Sequence, residues 1–237
     1  MHLGLIGGIG PAATVVYYQR LTDLMRQRDS RLELTIVQAD VYDLLNNNLA
    51  DQRDAQAAIY ANLITRLKAA GADCAAITSL GGHFCFAETA KLSTLPLISA
   101  VTPLDDYFAA QGLNRVGLLG TEVVMRTRLY GQLEKTKAVA PSGDLNALGK
   151  VYQDMAISGT CSDEQRATFF AEGRKMVEDQ GAEAIILAGT DLNLAFNGHH
   201  NPGYPVIDAL DVHVAVLADL ASGVKNIKTL NAKQPMS

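Results

Sequence analysis

Paired cysteines, basic clusters and long hydrophobic runs are all missing from this sequence. No apolar stretch approaches the roughly 20 residues that a membrane-spanning helix needs, so no membrane partner is expected. Only 19% of the residues are charged, 20 basic against 25 acidic for a net charge of −5, and no Lys/Arg run stands out. Nucleic acid and acidic membrane surfaces are therefore not expected partners either. The three cysteines, Cys74, Cys85 and Cys161, are odd in number and unpatterned. That excludes a disulfide framework and fits reduced thiols in a cytosol. The opening MHLGLIGGIGP lacks a basic n-region, and its short apolar run ends in glycines and a proline, so it reads as a first strand and not as a signal peptide.

What is present is an ordinary globular composition, 48% hydrophobic over 237 residues. This is enough for one large α/β domain or two lobes of about 100–120 residues each. The pattern alternates. Strands are expected at His2–Ile6, Glu33–Gln38, Cys74–Thr78, Pro96–Ser99, Arg115–Leu119, Ala184–Ala188 and Pro205–Ile207. Helices are expected at Pro11–Gln27, Gln52–Ala70, Val123–Lys137, Asp163–Gln180 and from about Asp211, with a middle segment near Leu148–Met155. Short apolar runs between amphipathic helices mean parallel strands covered by helices.

The sequence also repeats itself. LGLIGG (3–8) answers VGLLGT (116–121), GADCAAITS (71–79) answers GAEAIILAG (181–189), and PLISA (96–100) answers PVIDA (205–209), at offsets of 113, 110 and 109. Three ordered matches at nearly one offset predict an α/β protein of two pseudo-symmetric lobes, each a small parallel sheet flanked by helices. The expected division is 1–99 plus about 212–237 for lobe one and 100–211 for lobe two. Ligands of open α/β sheets bind at the carboxyl ends of the strands, so a cleft between two such lobes is the expected site. The offset of 110 pairs Ser79 with Gly189.

Several residues at those strand ends are candidates. Gly8, Ile9 and Gly10 form a glycine turn before Pro11, where free N–H groups and the helix dipole attract an anion. Gly8, Gly10 and Ala13, with Asp40 after the next strand, also satisfy the loose dinucleotide pattern. The glycine-threonine turn at the same place in lobe two favours a duplicated carboxylate-binding turn over a cofactor site. Thr121 and Thr190 precede helices, where a hydroxyl caps the helix or holds a ligand carboxylate. His83, after Gly81-Gly82, is a proton donor or a residue of the helix start. Asp208 ends a strand and, with His213 on the last helix, is placed to orient another group or simply to cap. His199-His200 lack partners at metal-ligand spacing and read as a surface loop or a cleft lid, so no metal is expected. Cys85 reads as a buried apolar residue, with a thiolate role beside His83 as the alternative.

These segments carry a resemblance. GLIGGIGPAATVVYYQRL (4–21), GADCAAITSLGGH (71–83), GLLGTEVVM (117–125), GAEAIILAGTDL (181–192) and YPVIDALDVH (204–213) resemble, in order, the motifs of the aspartate/glutamate racemase family. The resemblance implies a two-lobe protein, often a homodimer, that acts on a small carboxylate or amino acid without a cofactor. It places one catalytic position at Ser79, with Leu80, Gly81 and His83 after it, and the other at Gly189, followed by Thr190 and Asp191. The family uses a cysteine at each of those two positions. A thiol near pKa 8.5 serves as acid or base, a serine hydroxyl needs an adjacent base, and glycine supplies nothing. A two-thiol mechanism is therefore not expected. Three functions stay open: an amino-acid racemase or isomerase, a one-sided decarboxylase or lyase with Ser79 or His83 as donor, and a non-catalytic carboxylate binder.

Overall fold

A computed structural model describes residues 1–8, 10–196, 198 and 201–227. The chain divides into two compact units, Met1–Ala100 together with the chain from His213 onward, and Val101–Val212.

The first unit runs β1 (His2–Gly7), α1 (Pro11–Gln27), β2 (Glu33–Gln38), α2 (Val41–Leu49), α3 (Arg53–Ala69), β3 (Cys74–Ile77), α4 (Phe86–Leu92) and β4 (Leu97–Ile98). The second runs α5 (Thr102–Ala110), β5 (Arg115–Leu119), α6 (Glu122–Thr127), β6 (Lys137–Val139), α7 (Leu145–Ser158), α8 (Asp163–Gln180), β7 (Ala184–Leu187), α9 (Asn193–Phe196) and β8 (Val206–Asp208), and the chain returns to the first unit within α10 (Ala209–Ala221), from His213. Each unit holds a four-stranded parallel sheet, in the order β2-β1-β3-β4 in the first and β6-β5-β7-β8 in the second.

Local chemistry explains these elements. β3 and β7 are uninterrupted apolar runs, Cys-Ala-Ala-Ile and Ala-Ile-Ile-Leu, buried at every residue as inner parallel strands require. α1 buries Ala13, Tyr17, Leu21 and Met25, a stripe at four-residue spacing. α8 starts at a Ser162/Gln165 capping box and stops at Gly181, whose φ of 68° is a left-handed helix cap.

The internal repeat extends to single hydrogen bonds. Leu3 pairs with Cys74 in the first sheet as Val116 pairs with Ala184 in the second. Asp73 N–H donates to the His2 carbonyl at 2.8 Å, and Glu183 N–H to that of Arg115 at 2.9 Å. The carboxylates of these same two residues accept from His2 N–H at 2.7 Å and from Arg115 N–H at 2.9 Å. At the carboxyl ends, Thr78 N–H donates to Ile6 O and Ala188 N–H to Leu119 O. Ser79 and Gly189 come next, so they are equivalent positions of the repeat.

The structure departs from the sequence reading after α6. A helix was expected to continue to Lys137, but it ends at Thr127, because Arg128, Leu129 and Tyr130 all adopt positive φ. The chain then forms the short edge strand β6. Leu148–Met155 lies within α7, and α2, α4 and α5 are helices that periodicity did not bring out.

Candidate functional site

In the first unit the glycine turn after β1 is built from backbone conformations that glycine favours. Gly8 has φ 87° and Gly10 φ 91°. A Cβ at position 8 would lie 2.2 Å from Gln38 Nε2. Gly10 is the N-cap of α1 and brings no side chain to cap that end, and Pro11 opens the helix. Ile9 lies outside the described residues. A hydroxyl chain holds the turn: Gly8 N–H donates to Thr14 Oγ1 at 2.9 Å, and Thr78 Oγ1 donates to Ile6 O at 3.0 Å. The two hydroxyls are 3.4 Å apart, so Thr14, whose hydrogen remains, donates to Thr78. The sequence reading singled out neither threonine. Asp40, the acid of the dinucleotide pattern, instead caps α2 by accepting from the N–H groups of Tyr42 and Asp43 at 2.7 and 3.2 Å.

β3 delivers Ser79, which is 9% exposed and accepts from Gly82 N–H through Oγ at 3.3 Å. His83 sits in the 3-10 turn Gly81–Cys85 that follows, fully enclosed and stacked on Phe86 with ring centroids 5.3 Å apart. Its Nε2 accepts from Ala100 N–H at 3.0 Å. The ring hydrogen is therefore on Nδ1, which donates to the Ser79 carbonyl at 2.7 Å. Burial pushes its pKa down to about 4. Both ring nitrogens are thus committed, tying the end of β3 to the chain after β4. The Gly81 carbonyl accepts from Asn48 Nδ2 at 3.3 Å.

His213 is also fully buried, with Nδ1 2.8 Å from Tyr17 Oη. Burial, helped by His83, lowers its pKa to about 3. Its Nε2 has no hydrogen-bond partner among the described residues. Asp208 accepts from Leu210 N–H at 2.9 Å, at the start of the helix that carries His213. Cys85 is buried with Sγ 3.6 Å from Thr89 Oγ1, and burial pushes its thiol up to about 11, so it is protonated at neutral pH.

In the second unit Thr121 caps α6, its Oγ1 accepting from Val124 N–H at 3.3 Å. Gly189 is extended, with φ −141° and ψ 120°, so position 189 carries no backbone strain. Space is what a side chain there lacks. A Cβ would meet the ring of Tyr152 at 2.5 Å (Cε2) and 2.8 Å (Cζ), and its oxygen at 2.7 Å. Tyr152, from α7, donates through Oη to Asp191 Oδ2 at 3.0 Å. Both are enclosed, at 5% and 4% exposure. Burial, then the charge and hydrogen bond of Asp191, hold the phenol pKa well above its usual value. Thr190 is buried, and its carbonyl accepts from Asn193 Nδ2 at 2.9 Å. The structure thus gathers Gly189 and Asp191 around Tyr152, which sequence reasoning missed. It lies mid-helix, 37 positions before Gly189, where nothing local separates it from other core-facing residues.

Among the described residues no group of three or more His, Cys, Asp or Glu side chains is placed to hold a metal, and no helix is long and apolar enough to cross a membrane. His199 and His200 lie outside the described residues.

A family model described as Asp/Glu/hydantoin racemase matches residues 6–217. Solved structures share the fold. An aspartate racemase homologue from Pyrococcus horikoshii is 23% identical, with 93% of this chain and 99% of that chain covered and a TM-score of 0.76. An aspartate racemase from Picrophilus torridus is 21% identical over 93% of this chain and 94% of that one, TM-score 0.73. A glutamate racemase from Francisella tularensis, solved with D-glutamate, is 13% identical over 98% and 84%, TM-score 0.68.

Proposed function

The chain belongs to the Asp/Glu/hydantoin racemase family, and from that premise we propose that it binds a small carboxylate or amino acid at the strand-end segments of its two units, Gly8–Gly10 and Ser79–Gly82 in the first and Thr121 and Gly189–Asp191 in the second. The observation that carries the reading is the family match over 6–217, which contains all of these segments. The start of α1 supports it, because its N-cap is a glycine with no capping side chain, and a helix N-terminus opened by Gly10 and Pro11 suits a carboxylate. By family the default reaction is a cofactor-independent isomerisation at carbon, in a cytoplasmic homodimer.

A second reading has its own observation. Gly189 offers no side chain, and both nitrogens of His83 are engaged by backbone. An acid–base inventory this reduced suits a one-sided reaction, a decarboxylase or lyase that needs a group on one face of the ligand. In either reading His83 is a positioning residue that fixes the Ser79 backbone.

Thermal shift against aspartate, glutamate and small dicarboxylic acids tests the binding. A ligand at 100 times its Kd stabilises by about 2.7 kcal/mol, a rise of roughly 5–11 °C at about 2–4 °C per kcal/mol for a chain of this size. A panel in which no acid moves the midpoint refutes the proposal. Where an acid binds, chirality and carbon dioxide release separate isomerase, decarboxylase and simple binder.

A further inference from the structure

Tyr152 and Asp191 form an enclosed hydroxyl–carboxylate pair at the carboxyl end of β7, where open α/β sheets place ligand chemistry. The phenol occupies the volume that a side chain at Gly189 would take, its oxygen 2.7 Å from where that Cβ would stand. We propose that Tyr152 is the proton-transfer group of the second unit, acting as a relay with Asp191 on one face of the bound ligand. The inference rests on the carboxylate-binding reading above and adds the reacting group to it.

The step balances without a phenolate. The ligand's Cα–H bond breaks and its hydrogen passes to Tyr152 Oη. The phenolic hydrogen moves at the same time to Asp191 Oδ2, which already accepts it. The electron pair of the C–H bond stays on Cα, delocalised into the adjacent carboxylate, and return of the hydrogens reverses each transfer. Asp191 thus takes the charge change while Tyr152 stays neutral. That suits a phenol whose ionisation is opposed by burial and by the neighbouring carboxylate. The equivalent position of the repeat in the first unit is Ser79, whose Oγ accepts from a backbone N–H and has no carboxylate partner among the described residues. Transfer is therefore one-sided. Cα–H exchanges with solvent in one enantiomer, and the product keeps its configuration. Deuterium enters when the hydrogen on Tyr152 or Asp191 exchanges with solvent before the reverse step.

The experiment incubates the full chain in D2O with L- and D-aspartate and with L- and D-glutamate, reading Cα deuterium by NMR and configuration by chiral chromatography. Thermal shift with the same acids runs in parallel. The expected result is deuterium in one enantiomer without racemisation. Tyr152→Phe keeps the ring and removes the hydroxyl. It should cut exchange by about 10²–10⁴-fold, the range for a general acid–base group, while the ligand-induced thermal shift remains. Asp191→Asn gives an independent arm should the first variant fold poorly, with the same loss expected. Undiminished exchange in either folded variant overturns the relay, and so does exchange with racemisation in the wild type. A thermal shift without exchange overturns the relay alone. No shift with any acid removes the binding reading and the relay with it.

Discussion

Replacing Gly189 by alanine tests the reading of that position most directly. At an extended glycine, φ −141° and ψ 120°, the substitution ordinarily stabilises by about 0.4–1 kcal/mol, because alanine has fewer unfolded conformations to lose. Here the added Cβ meets three atoms of Tyr152 at 2.5–2.8 Å, closer than real contacts allow. The ring is enclosed in a cluster with Met155, Leu187 and Leu192, so it has little room to retreat. Overpacking of this kind costs about 1–3 kcal/mol. Moving the ring also stretches its bond to Asp191, worth about 1.5–3 kcal/mol for a charged acceptor. Gly189→Ala should therefore destabilise by about 1–4 kcal/mol, and Gly189→Cys should meet the same collision. The decisive assay is a double-mutant cycle by urea denaturation. Tyr152→Ala is costly itself, about 3–5 kcal/mol by analogy with other large aromatics, but it empties the space. In that background Gly189→Ala should be neutral or stabilising, giving a coupling of at least about 1 kcal/mol. A single variant as stable as wild type, or additive effects within about 0.5 kcal/mol, would refute the claim that Tyr152 occupies the side-chain space of position 189.

Two further outcomes follow from buried groups. Burial pushes the imidazoles of His83 and His213 down to about 4 and about 3, against 6.5 for a free imidazole. Between pH 6.5 and 4 the unfolded chain therefore binds protons that the folded chain refuses. Denaturation midpoints should be level above pH 7 and fall as pH drops from 6.5 to 5, with a shallower fall in His213→Gln; a midpoint that rises over that interval would contradict the buried neutral rings. Cys74 and Cys85 are buried, with thiols pushed up to about 12 and about 11, whereas Cys161 is partly exposed. Iodoacetamide at pH 7.5 should label Cys161 well before the other two, as peptide mass mapping would read it. Fast labelling of Cys85 would mean it carries a thiolate after all.

The sequence by itself determined the architecture. Fully apolar runs such as Cys74–Ile77 and Ala184–Leu187 have no stable place except inside a parallel sheet, and their repetition at one offset makes two like sheets unavoidable. Helix limits were legible where capping chemistry is local, as at Pro11 and Ser162. They were not legible after α6, where three consecutive non-glycine residues adopt positive φ, a conformation that their side chains do not encode. The candidate site divides in the same way. Position in the chain already singles out Ser79, Gly189 and the glycine turn, because the strand ends carry them. Only tertiary structure decided what each can do. His83 reads as a proton donor or a residue of the helix start until Ala100 and the Ser79 carbonyl take both its nitrogens. Gly189 reads as an empty position until Tyr152, brought in by α7, fills it and bonds to Asp191. A side chain's chemistry depends on which groups desolvate it and compete for its hydrogens, and those partners come from distant parts of the chain that meet only when it folds.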